Sequence, residues 1–470
     1  MDIPLTIKDA AAALRSKSLT STDLTKALLE KTHALNPTLG AFITITDESA
    51  LAAAAQADAE LAAGKDRGPL QGIPLAVKDI LATTEAPTTA NGMVLDPAWG
   101  EGYDATVIEK LKAAGAVIAG KLVLNEFAIG QPDPDKPFPM PQNPWDLPRS
   151  ASGSSSGTGI AVSAGMVLGG LGTDTGGSTR GPSSFNGITG LKQTFGRVSK
   201  FGCVPLGYSL DHINPMARSA YDCALMLQVM AGYDPKDPTT VDVPVPDYAA
   251  ALTGDVKGMK IGVPMSYFYD DPDMNQEQRA AVLAAVDVLK GAGAQVTEIT
   301  IPHLAEAKDA NTIIMFCEAA AYHRPDLGSM FDTYGKFTSQ SLARGILWSG
   351  ADYVQAQRFR SYFKQVIAGV FQQFDVLITP TSPAPAPLRA DMSPEKMLGA
   401  RSFTGVWNLT GLPALALPVG LTSTAPTLPL SMQIVGKPFD EATVLRAGDA
   451  YQRLTSHHLN VPAIAQSVAV

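Results

Sequence analysis

Only three of the 470 residues are cysteine, Cys203, Cys223 and Cys317. Their number is odd and they show neither metal-ligand nor C-x-x-C spacing, so no disulfide framework is expected and all three read as buried thiols. Histidine is nearly as scarce, with six in the chain. The adjacent pair His457 and His458 has no carboxylate or thiolate nearby in sequence, so no metal site and no cofactor are expected. Basic charge is also short, because 36 lysines and arginines against 45 acids leave a formal charge of −9. Phosphate binding is driven by clustered lysine and arginine, so nucleic acid is not expected as a partner. Long apolar runs are absent too: "IAVSAGMVLGGLG" has about 13 residues where a membrane helix needs about 20. The start, "MDIPLTIKDA", lacks a basic segment followed by an apolar one. A cytoplasmic protein without membrane association is expected.

What is present is a globular composition, 45% hydrophobic and 17% charged, sufficient for a sizeable core. The length would allow about three ordinary domains, although large α/β enzymes can run as one unit. Along the chain, "LTSTDLTKALLEKTHALN" opens with hydroxyl residues suited to an N-cap and carries Leu24, Leu28 and Leu29 at helical spacing. "AFITITD" reads as a strand, "SALAAAAQADAELAAG" as a helix, and "GIPLAVKDI" as a strand entered through Pro74. A helix from about Thr106 to Ala114, a stop at Gly115 and a strand "AVIAGK" follow. Later "MKIGVP", "EQRAAVLAAVDVLKGAG" and "QVTEITIP" form a βαβ-like unit, with further strands in "DVLITPT", "PALALPVG" and "LSMQIVG". The fold class expected is α/β, with a sheet between layers of helices. The proline-rich stretches "QPDPDKPFPMPQNP" and "TSPAPAPLRADMSP" read as long surface loops, which often line sites.

Three places could carry chemistry: Lys78 at the end of "IPLAVKD", the run Ser154 to Ser156, and Ser178 in "GGSTR". Each has a plainer reading, since a lysine at a strand end is usually solvated and serines among glycines usually form turns. "GSSSG" also satisfies G-x-S-x-G, which would make Ser155 a nucleophile. That turn requires a strand before it, and "NPWDLPRSAS" contains two prolines and no alternation, so Ser155 is not favoured.

Taken together, "GIPLAVKDI" and "NPWDLPRSASGSSSGTGIAVSAGMVLGGLGTDTGGSTRGPSSFNGITGLKQTFGRVSKFG" resemble the signature of the amidase signature family of serine hydrolases. The similarity extends to "EFAIG", "DVLITPTSPAPAP" and "NLTGLPALALPVG". It implies a single domain over residues 1–470, a signature core at about 70–220, and a central twisted mixed β-sheet sandwiched between helices. It also implies a Ser-cisSer-Lys triad. Ser178 would attack the carbonyl, Ser154, after a cis peptide at Gly153, would relay the proton, and Lys78 would be the base. Lysine ordinarily titrates near 10.4, so work at neutral pH requires a depression of roughly 3 pH units, about 4 kcal/mol, which burial beside neutral serines could supply. A cis bond before a non-proline residue costs about 2.5–4 kcal/mol, so it should persist only where the surroundings hold it. The N–H groups of Thr175, Gly176, Gly177 and Ser178 would form an oxyanion hole. Asp174 and Arg180 would hold the turn, Ser155 would support the relay, and Gly130 would contact substrate.

The chain departs from the usual family pattern in having Ser156 and Gly157 after Ser155, and Gln193 where "GLKP" is common; neither change removes a catalytic atom. A further departure is Arg401 in "GARSFTGVWNLTGLPA". The A subunit of tRNA-dependent amidotransferases has an acidic residue near that point for the glutamine amino group, so free glutamine is disfavoured. The expectation is therefore a free-standing amidase, acting alone on a small-molecule amide, aryl amide, ester or carbamate through an acyl-enzyme, as a monomer or homodimer. A glutamine-hydrolysing A subunit of a tRNA-dependent amidotransferase is the alternative, and an inactive scaffold with the amidase fold is a third reading. Met315, Phe316 and Trp407 could make the pocket apolar, with core packing the simpler expectation.

Overall fold

In the computed structural model of the chain, residues 3–392 and 400–468 are described. Their strands form one 11-stranded sheet of order β1-β3-β2-β4-β6-β5-β10-β11-β9-β7-β8. In chain order these are β1 Phe42–Ile45, β2 Pro74–Lys78, β3 Val117–Leu122, β4 Gly169–Thr173, β5 Thr189–Lys192, β6 Ile213–Ala217, β7 Lys260–Pro264, β8 Gln295–Ile299, β9 Val376–Pro380, β10 Ala414–Leu421 and β11 Pro429–Gly436. The helices that matter here are α1 Ile7–Arg15, α2 Ser21–Leu39, α3 Asp47–Ala62, α4 Thr106–Ala113, α5 Ser156–Ser163, α6 Arg180–Asn186, α7 Ala220–Met230, α8 Gln276–Gly291, α9 Leu304–Leu327, α10 Lys336–Leu347, α11 Gly350–Val370 and α12 Gly405–Thr410. This is the expected α/β class. The sheet is mixed: β3, β2 and β4 run parallel, while β4 meets β6 and β5 meets β10 antiparallel.

Local chemistry explains where elements begin and end. Thr20 accepts the Asp23 N–H at 3.0 Å to start α2, and Gly40 ends it in the left-handed region at φ 57°. An unforeseen helix, α1, precedes it, capped by Thr6. The "MKIGVP" unit forms as expected, with β7 and β8 parallel from Lys260 opposite Gln295 to Pro264 opposite Ile299 and α8 between them. The "TSPAPAPLRADMSP" stretch is described up to Met392, and its last two residues, 393–394, lie outside the described residues.

β2, β3 and β4 are buried along their whole lengths, as expected of parallel strands covered on both faces. Alternation along β2 sends Leu75 and Val77 into the larger apolar cluster, and Ala76 into a second one shared with Leu29, Ala50 and Ile160 of α2, α3 and α5. Lys78, two residues beyond Ala76, takes the α5 side. The glycines of β4 are there for close approach: a Cβ on Gly172 would meet Met216 Sδ at 2.6 Å and Ser155 Oγ at 2.8 Å. Among the described residues no helix is long and apolar enough to cross a membrane. All three cysteines are free, but only Cys223 is buried; Cys203 and Cys317 are partly exposed, because they sit on elements bordering solvent rather than in the core.

Candidate active site

Lys78 ends β2 fully buried, and its Nζ donates to Ser154 Oγ at 2.6 Å, Thr173 Oγ1 at 2.6 Å and Ser155 Oγ at 3.2 Å. Thr173 is the last residue of β4, so two adjacent parallel strands deliver the amine and one of its partners. Burial lowers the Lys78 pKa to about 7, with Cys203, Asp174 and Asp211 offsetting it only in part. A neutral amine keeps two N–H groups and one lone pair, and each hydroxyl around it can donate or accept. The neighbouring carboxylate, Asp79, pairs instead with Lys121 at 3.0 Å and accepts from the Thr89 N–H at 3.0 Å.

Ser154 follows a cis peptide bond from Gly153, and its carbonyl accepts the Asn125 N–H at 3.2 Å. The Asn125 side-chain amide donates in turn to the carbonyl of Gly130, a left-handed glycine at φ 64°. The Ser155 N–H donates to the Ser178 carbonyl at 3.2 Å, which ties the two glycine-rich segments together directly. The Ser155 hydroxyl donates to the Thr173 carbonyl and accepts the Thr173 N–H, both at 3.1 Å. Ser155 thus braces the end of β4, and its hydroxyl is committed there.

The turn before Ser178 is built on Asp174. Its carboxylate accepts the Gly177 N–H at 2.7 Å, the Thr179 N–H at 3.2 Å, the Asn408 side-chain amide at 2.8 Å and two guanidinium nitrogens of Arg180, each at 3.0 Å. Burial alone would raise this carboxyl, but the Arg180 charge and these bonds hold it well below the usual carboxylate range. Arg180 is fully buried and also donates to Gln433, Asn408 and the Thr404 carbonyl. One expectation changes here: the Gly177 N–H is engaged by Asp174, which leaves Thr175, Gly176 and Ser178 as the expected donors to an oxyanion. Thr175 is held from the other side by its hydroxyl on Asp211 at 2.5 Å.

A cavity of about 450 Å³ opens beside these groups, bordered by Ser154, Ser178, Gly176 and Gly130. Met315 and Phe316 line it, contrary to the core expectation, because α9 turns that face inward. Trp407 does belong to the core, stacked on Phe268 with ring centroids 5.9 Å apart. Arg401 borders the cavity but is tied to its wall, donating to Asp270 and to the Tyr267 carbonyl, both at 2.9 Å. Thr173, Asn408, Gln433 and Asp211 were not singled out from sequence, although "GTDTGG" and "NLTGLP" contain the first two. Gln433 and Asp211 have no local signal, since each acts across the fold. Among the described residues no cluster of histidine, cysteine or acids could hold a metal ion.

A buried lysine on one serine, bridged by its neighbour to a second serine in a glycine turn, on a mixed sheet between helices, defines an amide-cleaving hydrolase of the amidase class. The chain belongs to the amidase family, whose profile matches residues 23–445. It is 43% identical over 97% of its length to the A subunit of glutamyl-tRNA(Gln) amidotransferase from Roseiflexus sp. (strain RS-1), covering 98% of that protein. The protein of the same name from Thermotoga maritima superposes with a TM-score of 0.80 at 30% identity, covering 97% of this chain and 96% of that one. A structure from a protein complex tied to the origins of an s-triazine catabolic enzyme gives 0.88 at 31%, covering 96% and 98%.

These likenesses correct the expected function. A free-standing aryl-amide or carbamate hydrolase is overturned by full-length relatives, 36–43% identical, that are named as A subunits of an amidotransferase. The expectations of a lone chain with a small-molecule substrate and no nucleic acid are overturned by the same names, which carry a tRNA. The expectation of no nucleic acid failed because net charge reports on the whole surface and not on any one face of it. Arg401 misled as well: it stands where an acid was expected, but its charge is answered by Asp270 and Asp271.

Proposed function

We propose that this chain is the amide-hydrolysing A subunit of a tRNA-dependent amidotransferase, freeing ammonia from glutamine for a reaction on glutamyl-tRNA. The observation that carries the reading is the end-to-end likeness to proteins of that name, 97% of this chain and 98% of the relative. Neutral Lys78 takes the Ser154 proton while Ser154 takes that of Ser178, and Ser178 Oγ bonds to the amide carbon. Negative charge gathers on the carbonyl oxygen, facing the N–H groups of Thr175, Gly176 and Ser178. The proton returns through Ser154 to the leaving nitrogen, the C–N bond breaks, and ammonia departs. Water then enters by the same relay and releases the acid from Ser178.

The test is reconstitution of the chain with the remaining subunits of such an amidotransferase and glutamyl-tRNA(Gln). Conversion to glutaminyl-tRNA that depends on glutamine and is lost in Ser178→Ala is the expected result. Absence of conversion in the assembled enzyme would overturn the subunit reading.

A further inference from the structure

β4 and β6 pair antiparallel as far as Thr173 opposite Ile213. One rung further the Asp174 N–H still donates to the His212 carbonyl, at 2.9 Å. The next pair in that register is Thr175 and Asp211, already in loops, and their side chains close the ladder. The Thr175 hydroxyl donates to Asp211 Oδ1 at 2.5 Å. Sheet register therefore sets a carboxylate opposite the first of the expected oxyanion donors.

A hydrogen bond can aim a group only if its acceptor is itself fixed, and Asp211 is. It is buried, and its carboxylate also accepts the Leu206 N–H at 2.9 Å and the Gly207 N–H at 3.0 Å. The loop that carries these groups is tied down at Ser209. The Ser209 N–H and hydroxyl donate to Glu318 of α9 at 2.8 and 2.7 Å, and its carbonyl accepts from Arg360 of α11 at 2.8 Å. Gly207 closes over the turn, where a Cβ would meet Thr175 Cγ2 at 3.0 Å. The peptide joining Asp174 to Thr175 is held at its other end too: its carbonyl accepts from Asn408 Nδ2 of α12 at 3.1 Å and lies 3.1 Å from His212 Nδ1. In a trans peptide the C=O and N–H point opposite ways, so these contacts turn the Thr175 N–H away from α12. Among the described residues no acceptor takes that N–H.

We propose that Asp211 is a positioning residue for the oxyanion turn: its carboxylate holds the Thr175 hydroxyl, and so keeps the Thr175 N–H aimed at the oxygen on which charge gathers. The inference rests on the amide-hydrolysis reading above and adds to it a side chain that does not border the cavity. An oxyanion donor tightens its bond only as charge develops, so losing the contact falls on kcat and leaves KM alone. A merely structural role would instead lower the amount of folded enzyme, or disturb binding and turnover together.

The test is the steady-state rate of ammonia release from glutamine by the assembled amidotransferase carrying Thr175→Val, Thr175→Ser or Asp211→Ala in this chain. Thr175→Val keeps the side-chain shape and the backbone N–H and removes only the hydroxyl. It is expected to lower kcat about tenfold or more with KM within about twofold, while Thr175→Ser, which restores the hydroxyl, keeps kcat within about threefold of wild type. Asp211→Ala should lower kcat at least as far, and adding it to Thr175→Val should cost less than about threefold more, since both break one contact. Should Asp211→Ala fail to fold, the valine and serine variants still decide. Unchanged kcat in Thr175→Val, a loss confined to KM, a serine variant no better than valine, or fully additive losses in the double variant would overturn the inference. Ammonia release by the wild-type assembly with no loss in Thr175→Val sinks this inference alone. A wild-type assembly that releases no ammonia from glutamine takes down the subunit reading, and this inference with it.

Discussion

Replacing Lys78 by methionine should separate the chemistry of the base from the energy stored in burying it. The amine sits fully buried with a pKa of about 7, against an ordinary 10.5. That difference corresponds to about 5 kcal/mol favouring the neutral form. Above pH 10.5 the amine is neutral in both folded and unfolded chains, and burial carries no protonation cost. As pH falls toward 7 the unfolded lysine takes up a proton that the folded one refuses, so stability drops by about 1.4 kcal/mol per pH unit. Below 7 both states are charged and the loss is complete. Denaturant unfolding of wild type and Lys78→Met at pH 6, 7 and 9.5 isolates this contribution, because other groups titrate alike in both. The wild type should gain about 3 kcal/mol on the variant between pH 7 and 9.5, and nothing between 6 and 7 beyond the tail of the titration. A difference that stays flat from pH 7 to 9.5 would mean that the amine is charged in the folded protein, and the proposed base would be refuted.

Other outcomes are accessible with simple substitutions. The rate constant kcat/KM for ammonia release should rise with pH to a plateau with its midpoint near 7, following loss of the Lys78 proton; a pH-independent profile from 6 to 8 would contradict that assignment. Asp174→Asn should lower stability by about 3–5 kcal/mol in denaturant, since it strips the buried Arg180 of its counter-charge; a loss under 1 kcal/mol would show that the pair is dispensable. Gly153→Ala places a Cβ on the Asn125 side chain and should cost about 1–3 kcal/mol, with unchanged unfolding midpoints counting against the close approach.

Much of the site was legible because its parts lie in short segments whose glycines and hydroxyls have no other good use. Lys78, Ser154 and Ser178 fall in three such segments, and the first two are brought within 2.6 Å of each other. The βαβ unit at β7, α8 and β8 was legible for a different reason: each element is long, periodic and bounded by turns. α9 was not recognised as one helix, because Pro325 and a mixed pattern over 24 residues hide its period. The cavity cations were illegible for a related reason. Lys308 and Arg344 sit on ordinary amphipathic helices, and only packing of one helix on the other brings both to the cavity that the serines border. Gly177 shows the opposite failure: a glycine before the serine suggested an open N–H, and only the folded turn brings the Asp174 carboxylate onto it.

The pairing of Asp79 with Lys121 has an effect beyond its own 3.0 Å contact. Asp79 is the next residue after Lys78, and an unclaimed anion so near would hold a proton on the amine. With a resident cation answering it, that anion is electrically silent toward the base. The adjoining ends of β2 and β3 therefore carry two lysines with different company, Lys121 set against Asp79 and Lys78 among the hydroxyls of Ser154, Ser155 and Thr173.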